Sequence, residues 1–163
     1  MKKCLMLLAL MVACLSASAQ FEKGKWIVNP SVSGLALNHN SAADRTSFGL
    51  QAQGGAFVAD NLALLVNLGA AWNAASTDMD LYQAGVGLRY YFDKVGIYMG
   101  GNVGVDRMEY GHDLGHRTLF SFGFEAGYAF FLSRTVTIEP AAYWTHNKDC
   151  SDYGLKVGFG FYF

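Results

Sequence analysis

Tyr153-Gly154-Leu155-Lys156-Val157-Gly158-Phe159-Gly160-Phe161-Tyr162-Phe163 is the stretch whose reading decides the fold. Tyr153, Leu155, Val157, Phe159, Phe161 and Phe163 fall on one face, and Gly154, Lys156, Gly158, Gly160 and Tyr162 on the other. Successive side chains of a strand point to opposite faces. Strict alternation over this length therefore predicts a strand with a different solvent on each side.

The same period recurs upstream. In 134–146, Val136, Ile138, Ala142 and Trp144 oppose Thr137, Glu139, Tyr143 and Thr145; in 118–131, Phe120, Phe122 and Phe124 oppose Ser121, Gly123 and Glu125. Segments 95–107, 79–92 and 61–73 repeat the pattern, and 46–58 and 26–37 carry it more weakly. Each of these eight segments exceeds the 9–11 or so residues that a membrane-spanning strand needs. Tight turns are expected at Ala59-Asp60-Asn61, Asp93-Lys94 and Leu132-Ser133, with longer polar loops near 38–45, 74–78, 108–117 and 147–151. Short turns at one end and long loops at the other are the asymmetry of an up-and-down barrel in an outer membrane. Gly54-Gly55 is the expected site of a bulge. Pro140 conflicts with its strand because it cannot donate to the ladder; a bulge, or a partner carbonyl turned inward, would resolve it.

Which face looks inward follows from size. The interior of an eight-stranded barrel is just wide enough for side chains. The polar face is thin, mostly Gly, Ser, Ala, Asn and Gln, while the other face is bulky. Bulky side chains are therefore expected outside, against lipid, the reverse of a soluble barrel. Trp72, Tyr82, Trp144 and Tyr153 would form an aromatic girdle at the long-loop end, and Trp26, Phe92 and Phe163 one at the other, because such rings favour the membrane interface. No segment past the leader has 18 consecutive apolar residues, so no membrane helix is expected.

Residues 1–19 read as a cleaved signal peptide and 20–163 as the barrel domain. Lys2 and Lys3 precede an apolar run from Leu5 to Leu15, and Ala17-Ser18-Ala19 supplies the small residues of a cleavage site. A lipoprotein site at Met11-Val12-Ala13-Cys14 is the rival reading, but cleavage there would cut the apolar run short. Losing Lys2 and Lys3 leaves 10 basic against 13 acidic residues. That balance is no footprint for nucleic acid. Cys4 and Cys14 leave with the leader, so Cys150 has no intramolecular partner for a disulfide.

The run Lys156-Val157-Gly158-Phe159-Gly160-Phe161-Tyr162-Phe163 resembles the C-terminal assembly signal of bacterial outer-membrane barrels. That signal is polar, any, Gly, any, any, aromatic, any, aromatic, and Lys156, Gly158, Phe161 and Phe163 occupy its specified positions. The resemblance implies recognition by the barrel-assembly machinery and escort by periplasmic chaperones. The chain from residue 20 onward resembles the small eight-stranded barrels typified by outer-membrane proteins A and X. It implies an all-β, antiparallel transmembrane barrel in the outer membrane of a Gram-negative bacterium, in contact with lipid and lipopolysaccharide. The likeness is architectural and carries over no functional residues.

On the inward face Arg89, Glu125, Glu139 and Lys156 stand out. Glu125 and Glu139 are near-symmetric about the 132–133 turn and are expected to be cross-strand neighbours, where two carboxylates would repel without a cation between them. Arg89 and Lys156 supply it, giving a salt-bridged plug. A narrow channel for small solutes is the alternative. His39, His112, His116 and His146 fall in or beside the long loops with Asp113 and Cys150; they read as solvated loop residues, with a loop-borne metal site as the rival. Some small barrels modify lipid A, and His146 with Ser151 lies at the height such an enzyme needs, but Thr145-His146-Asn147-Lys148 lacks the serine two residues from the histidine. The expectation is a non-enzymatic barrel without cofactor, with a structural or surface-interaction role.

Overall fold

The structure, a computed structural model, describes residues 21–33, 39–40, 47–73, 79–92, 95–110 and 116–163. The expected leader, the centres of the longest loops and the Asp93-Lys94 turn lie outside them. Eight long strands run in chain order: β1 Trp26–Ser33, β2 Ser47–Ala59, β3 Leu62–Asn73, β4 Met79–Tyr91, β5 Ile97–Tyr110, β6 His116–Tyr128, β7 Val136–Asn147 and β8 Ser151–Tyr162. Each pairs antiparallel with the next, and β8 pairs back onto β1, with Ile27 opposite Tyr162 and Ser33 opposite Lys156. The sheet is thus a closed barrel, which leaves no edge strand to be satisfied. Two short pieces join it: Phe130–Phe131 against β7, and His39–Asn40 against the start of β8.

Alternation decides burial along every wall. Leu64, Val66 and Leu68 of β3 are exposed, while Ala63, Leu65 and Asn67 between them are buried. Phe120, Phe122 and Phe124 of β6 likewise stand outside Ser121 and Glu125. The outer surface is therefore one continuous apolar belt, far larger than the few hundred Å² that water-soluble monomers expose. No helix among the described residues is long and apolar enough to cross a membrane. β1 has 8 residues and the other seven long strands 12–14. At a rise of about 3.3 Å per residue and a tilt of about 40°, those seven match a hydrocarbon layer of about 30 Å.

The inside is not uniformly thin. At the end that holds Phe21 and Phe163 the floor is aromatic: Phe21, Phe57, Tyr91, Tyr98 and Tyr162 are all at most 2 % exposed. Phe21 stacks on Tyr91 at 4.1 Å and meets Tyr162 edge-on at 5.6 Å. Its carbonyl accepts from the Asn61 amide at 2.7 Å. Inward glycines at the opposite end leave the thin walls the sequence predicts.

Three local expectations need correcting. First, β2 slips register between Phe57 and Ala59, one turn of pleat beyond Gly54-Gly55. The extra residue is Val58, next to the Asp60-Asn61 turn, where a kink is easily absorbed at the rim. Second, the connection 148–150 is a tight turn rather than a longer loop: the Asn147 amide donates to the Cys150 carbonyl at 3.0 Å, and the Asn147 side chain accepts from the Asp149 and Cys150 amides. Third, the β6–β7 turn centres on Arg134, with the Leu132 and Ser133 amides both donating to the Val136 carbonyl. This slides the register, so Glu125 faces Tyr143 rather than Glu139.

Pro140 needs no bulge. Pairing of β7 with β6 stops at Ala141–Gly127 and resumes at Ile138–Phe130 in the same register, while Pro140 stays paired with Val157 on its other side. The missing N–H thus falls in a two-residue gap in one ladder. Pro30 sits in a similar gap in the β1–β8 ladder, between Val28–Phe161 and Ser31–Gly158.

Asn61 closes the β2–β3 turn with φ 65°. Among residues with a Cβ, Asn is one of the few that visits this region readily. Asn61→Gly should leave stability unchanged, and Asn61→Val should cost about 1–2 kcal/mol. Urea unfolding of the barrel in lipid vesicles measures both; equal midpoints for the two variants would contradict the assignment of strain to this residue.

Candidate functional site: the charged layer across the lumen

One polar layer crosses the barrel above the aromatic floor. Arg89 of β4, Glu125 of β6, Glu139 of β7 and Lys156 of β8 project into it because each occupies an inward position of its strand. All four are at most 6 % exposed. Arg89 lies 2.5 Å from Glu125 and 3.0 Å from Glu139, and Lys156 lies 2.5 Å from Glu125. The two carboxylates are not opposite one another, yet the guanidinium spans the offset and binds both.

The hydrogen-bond accounting closes. Arg89 has five N–H donors, and all are used: Nε and Nη2 on Glu125, Nη2 also on Gln53, Nη1 on Tyr91 and Glu139. Glu139 accepts from Thr137 and Tyr162 at one oxygen, both at 2.6 Å, and from Asn29 and Arg89 at the other. Glu125 accepts from Arg89 at one oxygen and from Lys156 and Gln53 at the other. Lys156 also donates to Gln51 at 2.8 Å, and the Arg89 guanidinium carbon lies 4.3 Å from the Tyr98 ring centre. Two acids and two bases balance, and no polar group of the layer is left unpaired. A complete buried network of this kind holds one arrangement rigidly. Gln51, Gln53, Asn29, Tyr91 and Tyr162 complete it; their period-two positions were visible in the sequence, but nothing there ranked them above other inward polar residues.

Glycines of β8 let this layer form. A Cβ on Gly160 would lie 2.3 Å from both Glu139 Oε1 and Thr137 Oγ1, and one on Gly158 would lie 2.4 Å from Asn29 Oδ1. Side chains of β1 and β7 thus reach each other across β8, joining the barrel where the β1–β8 ladder is interrupted.

The other residues singled out in the sequence fall elsewhere. Trp26 and Phe163 are 63 % and 68 % exposed at the floor end, where their backbones exchange two hydrogen bonds of 3.0 Å, and Phe92 is exposed at that end too. Tyr82, Trp144 and Tyr153 are exposed near the long-connection end, with Trp144 facing Tyr153. Trp72 lies in β3 between Phe48 and Asp80; its side chain is outside the described residues, as are those of His39, His112, His116 and Asp113. Lys156, Gly158 and Phe161 lie on β8 and Phe163 directly follows it, the first two inward and the phenylalanines outward. His146 Nδ1 and Ser151 Oγ are hydrogen-bonded at 2.7 Å on the outer wall, with His146 stacked on Trp144. A nucleophile–base pair also needs a group that orients the base, and no carboxylate among the described residues binds His146. No cluster of His, Cys, Asp or Glu suited to a metal occurs among the described residues.

Comparison with known proteins agrees with this architecture. The crystal structure of neisserial surface protein A superposes with a TM-score of 0.71 over 85 % of this chain and 96 % of that one, at 18 % identity. The N-terminal barrel domain of Pseudomonas aeruginosa OprF gives a TM-score of 0.59 over 85 % and 97 %, at 14 % identity. The Yersinia pestis attachment invasion locus protein, crystallised with the heparin analogue sucrose octasulfate, gives 0.55 over 86 % and 99 %, at 13 % identity. At these identities the likeness is one of fold. No curated protein sequence matches. The family model described as "Outer membrane protein beta-barrel domain" matches residues 5–163. An apolar outer belt, a closed eight-stranded sheet and that match together place the chain in the outer-membrane β-barrel domain family, and its location is the outer membrane.

Proposed function

We propose that this barrel is non-catalytic and non-conducting, a rigid membrane-embedded support that carries its outward loops for structural or surface interaction. The observation that carries the reading is the filled lower lumen. The aromatic floor and the fully hydrogen-bonded Arg89 layer lie in series across the axis. A path for ions would have to break at least one buried ion pair, which costs several kcal/mol. Sustained conduction through such a barrier is not expected.

Biogenesis follows from the sequence features already described. The leader ends after Ala19, so Phe21 becomes the second residue of the exported chain and takes its place in the floor. The segment Lys156–Phe163 is presented to the barrel-assembly machinery after escort by periplasmic chaperones.

Reconstitution into planar lipid bilayers tests the function. Protein purified from outer membranes should give no discrete current steps, and its N-terminus should read from Gln20. Reproducible steps that disappear when the protein is boiled first would overturn the reading in favour of a narrow channel for small solutes.

A further inference from the structure

The outer wall is not evenly bulky. On β5, β6 and β7 the outward positions Gly101, Ala126 and Ala142 lie side by side: Ala126 pairs with Ala142, and Gly101 pairs with Phe124, two residues before Ala126. Met99 and Phe124, 56 % and 59 % exposed, stand up beside them. An apolar furrow of about 530 Å³ results, running from Leu62 on β3 to Trp144 on β7. The outward side chains along it are aliphatic or aromatic. It crosses five strands spaced about 4.8 Å apart, so it is about 19 Å long. Because the strands tilt, a row across them climbs the wall. Leu62 opens β3 at the floor end, and Trp144 lies near the long-connection end of β7.

Polar groups stand at the upper end of the furrow. Trp144 stacks on His146 at 5.8 Å, and Phe122 meets both rings edge-on. Ser151 holds His146 Nδ1 at 2.7 Å, which leaves Nε2, on the far side of the ring, without a hydrogen-bond partner among the described residues. Two residues further on, Lys148 is exposed. It makes no ion pair among the described residues, and the neighbouring Asp149 is taken by Arg117 at 2.8 Å. Rings such as Trp144 favour the membrane interface, which puts His146 and Lys148 at the level of lipid headgroups.

We infer that this face binds one anionic, phosphate-bearing lipid, with an acyl chain along the furrow and its phosphate against His146 and Lys148. An ammonium is a common phosphate partner, and basic side chains at a membrane surface attract anionic lipid heads. Shape argues against the other apolar occupant, a second copy of this barrel. Two barrel walls are both convex, so a neighbouring wall would bridge the furrow and leave it unfilled, forfeiting the contacts that packing supplies. A single flexible chain follows the furrow along its length. The inference stands apart from the proposed function, since a sealed barrel and a conducting one present the same outer wall.

Quenching by brominated lipids tests it. With Trp26→Phe and Trp72→Phe, Trp144 is the one tryptophan left in the chain. In vesicles of phosphatidylcholine holding a minor fraction of brominated phosphatidylglycerol, its fluorescence should fall as if that lipid were enriched about fivefold beside it, the effect of one basic residue at a membrane surface. Brominated phosphatidylcholine at the same fraction should show no enrichment. Lys148→Gln removes the charge and should return the phosphatidylglycerol signal to that of the bulk fraction. Ala126→Leu fills the furrow and should lower the enrichment at least twofold. Both positions face outward, and the heat-dependent gel shift reports whether each variant folds; should Ala126→Leu not fold, Ala142→Leu replaces it. Equal quenching by the two brominated lipids, or enrichment unchanged in either variant, would overturn the assignment. Weak quenching by both lipids that strengthens as protein is diluted in lipid would place a second barrel over the furrow and overturn it as well.

Discussion

Arg89→Leu should destabilise the barrel by about 3–5 kcal/mol, the usual cost of removing one partner from a buried ion pair. The change leaves Glu125 and Glu139 in the lumen with Lys156 as the one base, and Lys156 binds only Glu125. It also frees Gln53 and Tyr91 from their donors. Urea titration in lipid vesicles, followed by tryptophan fluorescence, reads the loss as a lower midpoint at an unchanged slope. Arg89→Leu with Glu139→Leu should recover much of it, because Glu125 keeps Lys156 at 2.5 Å and no unpaired acid remains beside it. Replacing a buried ion pair by apolar groups of similar volume is often close to neutral. If the double variant is as unstable as Arg89→Leu alone, the loss comes from packing against Tyr98 and not from stranded charge.

The walls of this barrel were legible in the sequence because a membrane barrel has one rule, applied at every second residue. Phe120, Phe122 and Phe124 against Ser121, Gly123 and Glu125 could be assigned without any long-range knowledge. Which inward residues meet was not legible, because it depends on register. Register is fixed by turn length, and the turn about Arg134 is longer than the Leu132-Ser133 reading allowed. A slip of that size separates Glu125 from Glu139, and only Arg89, reaching in from β4, brings them into one network. The aromatic floor was missed for another reason. Phe57 and Tyr91 are inward but lie near strand ends, and Phe21 precedes β1 altogether, so alternation gives out there and nothing local distinguishes a floor from a rim.

Gly54 and Gly55 are neighbours that should respond very differently to one added methyl group. A Cβ on Gly55 would lie 1.9 Å from the Leu64 carbonyl oxygen and 2.9 Å from the Leu65 Cα. Both atoms are backbone of the facing strand, so no rotamer change relieves the contact; β2 and β3 must separate. A Cβ on Gly54 would meet nothing closer than the Ile27 carbonyl oxygen at 3.9 Å, an ordinary contact. Their shared β-propensity gain from Gly to Ala is small and cancels in the comparison. Overpacking that side chains can absorb costs about 1–3 kcal/mol, and a clash with backbone in a closed sheet exceeds it, since opening one ladder strains its neighbours around the ring. Gly55→Ala should therefore abolish the folded band on an unboiled gel, or lower the urea midpoint by the equivalent of more than about 3 kcal/mol. Gly54→Ala should stay within about 0.5 kcal/mol of the parent, as surface substitutions usually do. This ordering separates a glycine required by close backbone approach from one tolerated by chance. Equal effects at the two positions would mean that the tight approach of β2 and β3 beside the Phe57–Ala59 register slip is not what glycine serves there.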